Sequence, residues 1–304
     1  MSKAVVFSEY GPPEVLRVVD LPAARPGPGQ VRVRVRAAGI QPFDNLFRSG
    51  QTAQWVPAHF PQQVGNEAAG VVDAIGPGVT EFAVGDEVLG WVELAAFAEH
   101  AVMAVDQLVA KPAGMPWEEA GALSASGQTA HTALRELAVN DGETVLVHAA
   151  AGGVGSIAVQ LAVAWGATVI GTASERNHDY LRTLGAIPVT YGDGLAERVR
   201  ALAPDGVHAA LDGVATEDSL HTSLELVHDT HRVGTVAFNP IAQRLGVRRL
   251  GTQRSTDRLR ELTALHTKGA LKVAVHRTYS LDEIADAHRE VETGHVRGKV
   301  VIVP

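Results

Sequence analysis

The run TVLVHAAAGGVGSIAVQLAVAWG, residues 144 to 166, most narrows what this chain can fold into. TVLVHA reads as a strand, glycines follow at once, and SIAVQLAVAWG carries apolar residues on a helical period up to Gly166, a residue suited to ending a helix. A strand that feeds a glycine turn and then a helix aims the first helical N–H groups past the turn. The absent side chains of Gly152, Gly153 and Gly155, with Val154 among them, let a pyrophosphate approach those groups closely. Ala150 stands where the first glycine of G-x-G-x-x-G usually stands, which calls for a less extreme turn. The same glycines would also serve tight helix–strand packing in a protein that binds nothing. The unbroken order of strand, turn, helix and strand favours a dinucleotide.

The flanks repeat the pattern. Strands read at 168–173, 187–191, 207–212, 232–238 and 247–251, with amphipathic stretches such as HDYLRTLG and LAERVRALA between most of them. Strands spaced by helices need crossover connections, and so a parallel sheet covered on both faces, a doubly wound α/β fold. A helix at 129–139 precedes this half, and a long one at 255–271 closes it. The head is different: 3–7, 15–20 and 30–39 are short β-branched runs cut by Gly and Pro. In the last of these Val31, Val33 and Val35 alternate with Arg32, Arg34 and Arg36, one face apolar and the other solvated. The tail returns to strands, LKVAVHRTYSL and GKVVIV, around a helix at LDEIADAHREVETG. At 304 residues the chain has room for two domains, and head and tail are expected to join around the α/β insert.

The chain has no cysteine, which removes disulfides, thiolate nucleophiles and Cys-ligated zinc. A formal charge of −8 disfavours nucleic acid and anionic membranes as partners unless a local patch overcomes it. The arginine-rich segment 243–260 is such a place; without interleaved aromatics it reads as a solvated face or subunit contact rather than an RNA surface. No apolar run reaches the length of a signal core or a membrane span, so the protein is expected in the cytoplasm with no membrane partner. His148, at the end of a buried strand, reads as a hydrogen-bonded core histidine.

HAAAGGVG, together with FSEYGPPEVL, PGPGQVRVRVRAAGI, VGDEVLGW and HVRGKVVIV, resembles the zinc-independent quinone oxidoreductase family of the medium-chain dehydrogenase/reductase superfamily over nearly the whole chain. The glycine signature is also similar to that of polyketide synthase enoyl-reductase domains. The resemblance implies a GroES-like, β-rich catalytic domain (1–122 and 270–304) and a Rossmann dinucleotide-binding domain (123–269), paired as a homodimer through a sheet edge such as RVGTVAF or its neighbour. It also implies hydride transfer from NADPH to a small quinone or α,β-unsaturated carbonyl. A tailoring enoyl reductase or cyclase is the alternative activity, and a non-catalytic, crystallin-like NADPH- or RNA-binding protein is the alternative class. The superfamily landmark G-H-E-x-x-G stands here as Gly65-Asn66-Glu67-Ala68-Ala69-Gly70, with Asn66 in place of a histidine zinc ligand and the ligand cysteine missing, which implies no metal.

By the same resemblance, the substrate loop is GIQPFDNLFRSG. Relatives carry Asn at the position of Gln41 and often a Tyr a few residues on, where this chain has Leu46 and Phe47. Gln41 could still donate to the substrate through its amide, while Asp44 either supports the loop and a proton network or is a helix N-cap. Thr129 matches a hydroxyl near the nicotinamide or else caps a helix. Phe238 and Asn239 follow a strand at the carboxyl edge, where ligands bind, or form a plain turn. Lys299 reaches the cofactor phosphates or is an exposed strand lysine. NADP selectivity is expected from Ser174, Arg176 and Tyr191 as a 2′-phosphate pocket; the competing reading gives Glu175 the ribose of NAD.

Overall fold

In the computed structural model, which describes residues 1–304, the chain divides into two units. One comprises Met1–Ala125, Ser255–Thr267 and Val273–Pro304; the other comprises Ser126–Arg254 and Lys268–Lys272. The head supplies strands β1 (Ser2–Phe7), β2 (Arg17–Leu21), β3 (Gln30–Gly39), β4 (Gln62–Gln63), β5 (Glu67–Ile75), β6 (Glu87–Trp91), β7 (His100–Ala104) and β8 (Leu108–Ala110). Helices α1 (Pro42–Arg48) and α2 (Trp117–Gly121) belong to the same stretch. In β3 the valines are buried in the apolar core, Arg34 and Arg36 are exposed, and Arg32 makes a two-pronged ion pair with Asp73 of β5 at 2.8 and 3.0 Å. β3 runs antiparallel to both β5 and β7, and β2, β1 and β4 form a separate small sheet. The run expected as a strand at 15–20 begins instead with a 3₁₀ turn, Pro13–Val15, because the fixed φ of proline suits the first position of a helical turn.

The second unit begins within α3 (Ser124–Glu136), a helix that starts five residues before the expected one. It continues through β9 (Thr144–Val147), α4 (Gly153–Ala164), β10 (Thr168–Thr172), α5 (His178–Thr183), β11 (Ile187–Val189) and α6 (Leu195–Leu202). Then come β12 (Ala209–Asp212), α7 (Glu217–Leu226), β13 (Val233–Thr235), α8 (Pro240–Arg244) and β14 (Arg248–Arg249). All neighbouring strands are parallel, in the order β11-β10-β9-β12-β13-β14. The winding direction reverses at β9, and the crevice that such a reversal opens beyond the strand ends is where doubly wound sheets bind ligands. Leu146, Ile170, Val189, Val199 and Leu220 fill the core.

The chain then adds α9 (Thr256–Thr267), β15 (Val275–Tyr279), α10 (Ile284–Glu292) and β16 (Lys299–Ile302), all in the first unit. β16 pairs antiparallel with β3, joining tail to head. The long helix expected to close the parallel-sheet half lies instead with the β-rich unit. Leu259 and Leu262 on it are buried, and its terminal His266 bonds Glu119 of α2 at 3.2 Å, a carboxylate that also accepts the Val273 N–H at 3.1 Å. No helix is long and apolar enough to cross a membrane.

Candidate functional site

In the second unit the glycine turn follows β9 directly. Ala149 adopts φ 53°, so the left-handed residue comes one position before the missing glycine, where the motif suggests a relaxed turn. For alanine that conformation costs about 1–2 kcal/mol. The next N–H, of Ala150, bonds the Thr172 carbonyl at the end of β10 at 3.0 Å. Gly152 caps α4, and the amides of Gly153, Val154 and Gly155 form its first turn, whose N–H groups have no carbonyl partner within the helix. A Cβ on Gly155 would run into the Ala149 carbonyl and lie 2.8 Å from Ala150 Cα, so this glycine sets the closeness of helix and turn. The site therefore combines a twelve-residue helix pointing its positive end outward with a close backbone cradle, which fits a dinucleotide pyrophosphate.

Thr172 of β10 is in register with Val189 of β11, so the residues that follow the two strands emerge at the same edge of the sheet. Ser174, whose Oγ accepts from Asn177 at 3.4 Å, and the exposed Arg176 follow β10; Tyr191, 56% exposed, follows β11. Glu175 is exposed beside them, outside the strand. Phe238 and Asn239 follow β13 but are occupied: the Arg249 guanidinium lies 3.5 Å over the phenyl ring, and the Asn239 side chain caps α8 by accepting the Ile241 N–H at 3.0 Å. Thr129, half-buried on α3, shares a 2.7 Å hydroxyl bond with Thr252.

The first unit holds a buried polar network. Gln41 is the N-cap of α1 and Asp44 its third helical residue, so Asp44 is not the cap; its Oδ2 accepts the Gln41 N–H at 2.8 Å. Oδ1 accepts from the Asn66 amide at 2.7 Å. Burial pushes the Asp44 carboxyl up to about 6, against the Gln41 N–H, the Asn66 amide and Lys299, which lower it; Glu67 raises it further. Glu67, fully buried at 0%, accepts from the Gln41 amide, from the Ala125 N–H at 2.7 Å and from Lys299 at 3.2 Å. Lys299 is not an exposed strand lysine: it is 3% exposed, and its ammonium also donates to the Ile40 carbonyl at 3.0 Å. Within the first unit Lys299 thus joins Gln41 and Asp44 around Glu67. Glu67 was the residue to find: a lone carboxylate in the small, apolar run EAAGVV signals a buried charge that needs a partner.

Several arginines of the arginine-rich segment are engaged within the protein. Arg244 pairs with Glu217, Arg260 with Asp257 at 2.8 Å, and Arg248 donates to the Glu136 carbonyl at 2.9 Å.

Residues 27–123 match the family described as alcohol dehydrogenase GroES-like domain, and residues 184–302 match the one described as zinc-binding dehydrogenase. The chain is 35% identical to a quinone oxidoreductase of Pseudomonas aeruginosa over 100% of both chains. It is 31% identical to a 2-haloacrylate reductase of a Burkholderia species, over 100% of this chain and 99% of the relative. The Escherichia coli quinone oxidoreductase complexed with NADPH superimposes with a TM-score of 0.87 at 28% identity, over 99% of this chain and 100% of that one.

Proposed function

Because this chain belongs to the quinone oxidoreductase family of the medium-chain dehydrogenase/reductase superfamily, we propose that it is an NADPH-dependent reductase of quinones or α,β-unsaturated carbonyls that works without zinc. The observation that carries this reading is the glycine turn at the winding reversal, with Gly155 packed against Ala149 and the α4 amides open for a pyrophosphate. When bound, NADPH supplies the hydride. The protein's part is to hold the cofactor at Gly152, Gly153, Val154 and Gly155, and its 2′-phosphate at Ser174, Arg176 and Tyr191. A solved relative described as an NADPH complex supports the cofactor, and a relative named for reducing a haloacrylate supports the activated-alkene half of the substrate class.

Negative charge develops on the carbonyl oxygen of the acceptor and needs a hydrogen-bond donor. Gln41 fits that role: its amide is anchored on Glu67, while its second bond, to the Gly39 carbonyl, is long at 3.5 Å and loses little by turning to a substrate oxygen. Asp44, closed off from solvent, positions Gln41 through the backbone. Zinc does not fit this donor set. The Asn66 amide nitrogen is committed to Asp44, an amide is a poor zinc ligand, and Glu67 is already neutralised by the Lys299 ammonium. The polar edge strand β14, not the inner β13, is the proposed homodimer contact; sedimentation showing only monomer would remove it.

Loss of reduced-cofactor absorbance with a panel of quinones and enones tests the activity. Turnover should prefer NADPH to NADH and survive a chelator, and absence of turnover with every acceptor would end this reading. Arg176→Ala should weaken NADPH binding about ten- to a hundredfold, the worth of one charge-assisted bond, and leave NADH binding unchanged. Equal losses for both cofactors would refute the 2′-phosphate pocket.

A further inference from the structure

In the second unit the fully buried titratable side chain of His148, the residue after β9, has no task in the function above. Both ring nitrogens are engaged, Nδ1 with Thr172 Oγ at 3.3 Å and Nε2 with Ser223 Oγ at 3.0 Å. The neighbours decide which nitrogen carries the proton. The Ser223 hydroxyl donates to the Ser219 carbonyl at 2.9 Å, so toward His148 this oxygen can only accept, and Nε2 must hold the hydrogen. Nδ1 is then an acceptor, and the Thr172 hydroxyl must be its donor. The same hydroxyl oxygen accepts the Ala149 N–H at 3.3 Å. One directed chain therefore runs from Ala149 N–H through Thr172, His148 and Ser223 to the Ser219 carbonyl, with an acceptor for every proton. Its first member is the left-handed residue that launches the glycine turn.

We propose that His148, as the Nε2–H tautomer, is a positioning residue that acts through Thr172 to hold Ala149 left-handed and so to aim the first amides of α4 at the cofactor phosphates. The inference rests on the glycine turn being the NADPH site. Burial lowers the basicity of His148, opposed by Asp212 and Asp218, and a second ring proton would point at the hydroxyl proton of Thr172. The chain thus works with a neutral imidazole.

Nitrogen-15 NMR of the cofactor-free protein should show His148 protonated at Nε2 and bare at Nδ1. Thr172→Val keeps the shape and removes the hydroxyl. It should speed amide exchange at Ala149 by about tenfold and weaken NADPH binding, measured by calorimetry, about five- to tenfold. Thr172→Ser restores the hydroxyl and should return both to within about twofold of wild type. An Nδ1–H tautomer overturns the proposal, as does a Thr172→Val protein that exchanges and binds like wild type, or a Thr172→Ser protein no better than Thr172→Val. A wild-type protein that binds no NADPH overturns the function reading instead; the tautomer and the exchange rates, measured without cofactor, decide the clamp separately.

Discussion

At Asp44 two influences compete, and burial prevails. The carboxyl titrates near 3.8 when unfolded and at about 6 in the fold, so between those values the folded protein keeps a proton that the unfolded chain has released. Its favourable contribution is complete below about pH 4 and is lost as the pH rises through about 6. Asp44→Asn keeps an acceptor for the Gln41 N–H, offers its NH₂ to Asn66 once that amide turns its oxygen inward, and abolishes the titration; it should raise the unfolding free energy at pH 7 by about 1–3 kcal/mol in urea titrations. A variant no more stable than wild type would mean that hydrogen bonding, not burial, dominates at this carboxyl. Local spacing makes Asp44 legible as a helix-start residue, although the structure moves it from the cap to the third position. The partners are another matter. Asn66, Glu67 and Lys299 meet Gln41 and Asp44 only through strand pairing, and no spacing rule connects Lys299 to the Ile40 carbonyl across 259 residues.

Elements are legible when their causes are local. The turn at β9 can be read from the sequence because strand, glycines and helix are contiguous, and β3 because period two sorts valine from arginine. Boundaries and allegiances are less so. Helix α3 begins early, and the sequence of α9 holds nothing that says its buried leucines and His266 serve the β-rich unit. The glycine requirement can be tested at α4. In Gly155→Ala the new methyl meets backbone atoms that cannot step aside, so overpacking should cost about 1–3 kcal/mol in unfolding experiments. It should also push α4 off the turn and weaken NADPH binding. Wild-type stability together with wild-type affinity would show that the close approach is not needed.

Across the molecule, stability against pH should reflect buried groups with opposite signs, Asp44 on one side and the histidines His288 and His148 on the other. His288, buried edge-on to Phe97 and near Arg48, has its basicity pushed down to about 3 by burial and by the arginine. The unfolded chain therefore gains a proton below about 6.5 that the fold refuses, and stability is lost as the pH falls from about 6.5 toward 3. Between about pH 4 and 6 this slope opposes that of Asp44, each being about 1.4 kcal/mol per pH unit, and the lowered basicity of His148 acts in the same direction as His288. Relative to wild type, His288→Phe should tilt the stability–pH profile downward through that window and Asp44→Asn should tilt it upward, each by about 1.4 kcal/mol per pH unit; urea midpoints at several pH values would reveal either change, and parallel profiles for the two variants would refute it. The pairing of β16 with β3 bears on how the protein is made. Glu67 leaves the ribosome about 230 residues before Lys299, which at roughly 5–20 residues per second means some ten to fifty seconds without its counter-charge. During that interval the carboxylate has the Gln41 amide and the Ala125 N–H within the same chain but no cation, while the strands of the parallel sheet, synthesised in between, can already find one another.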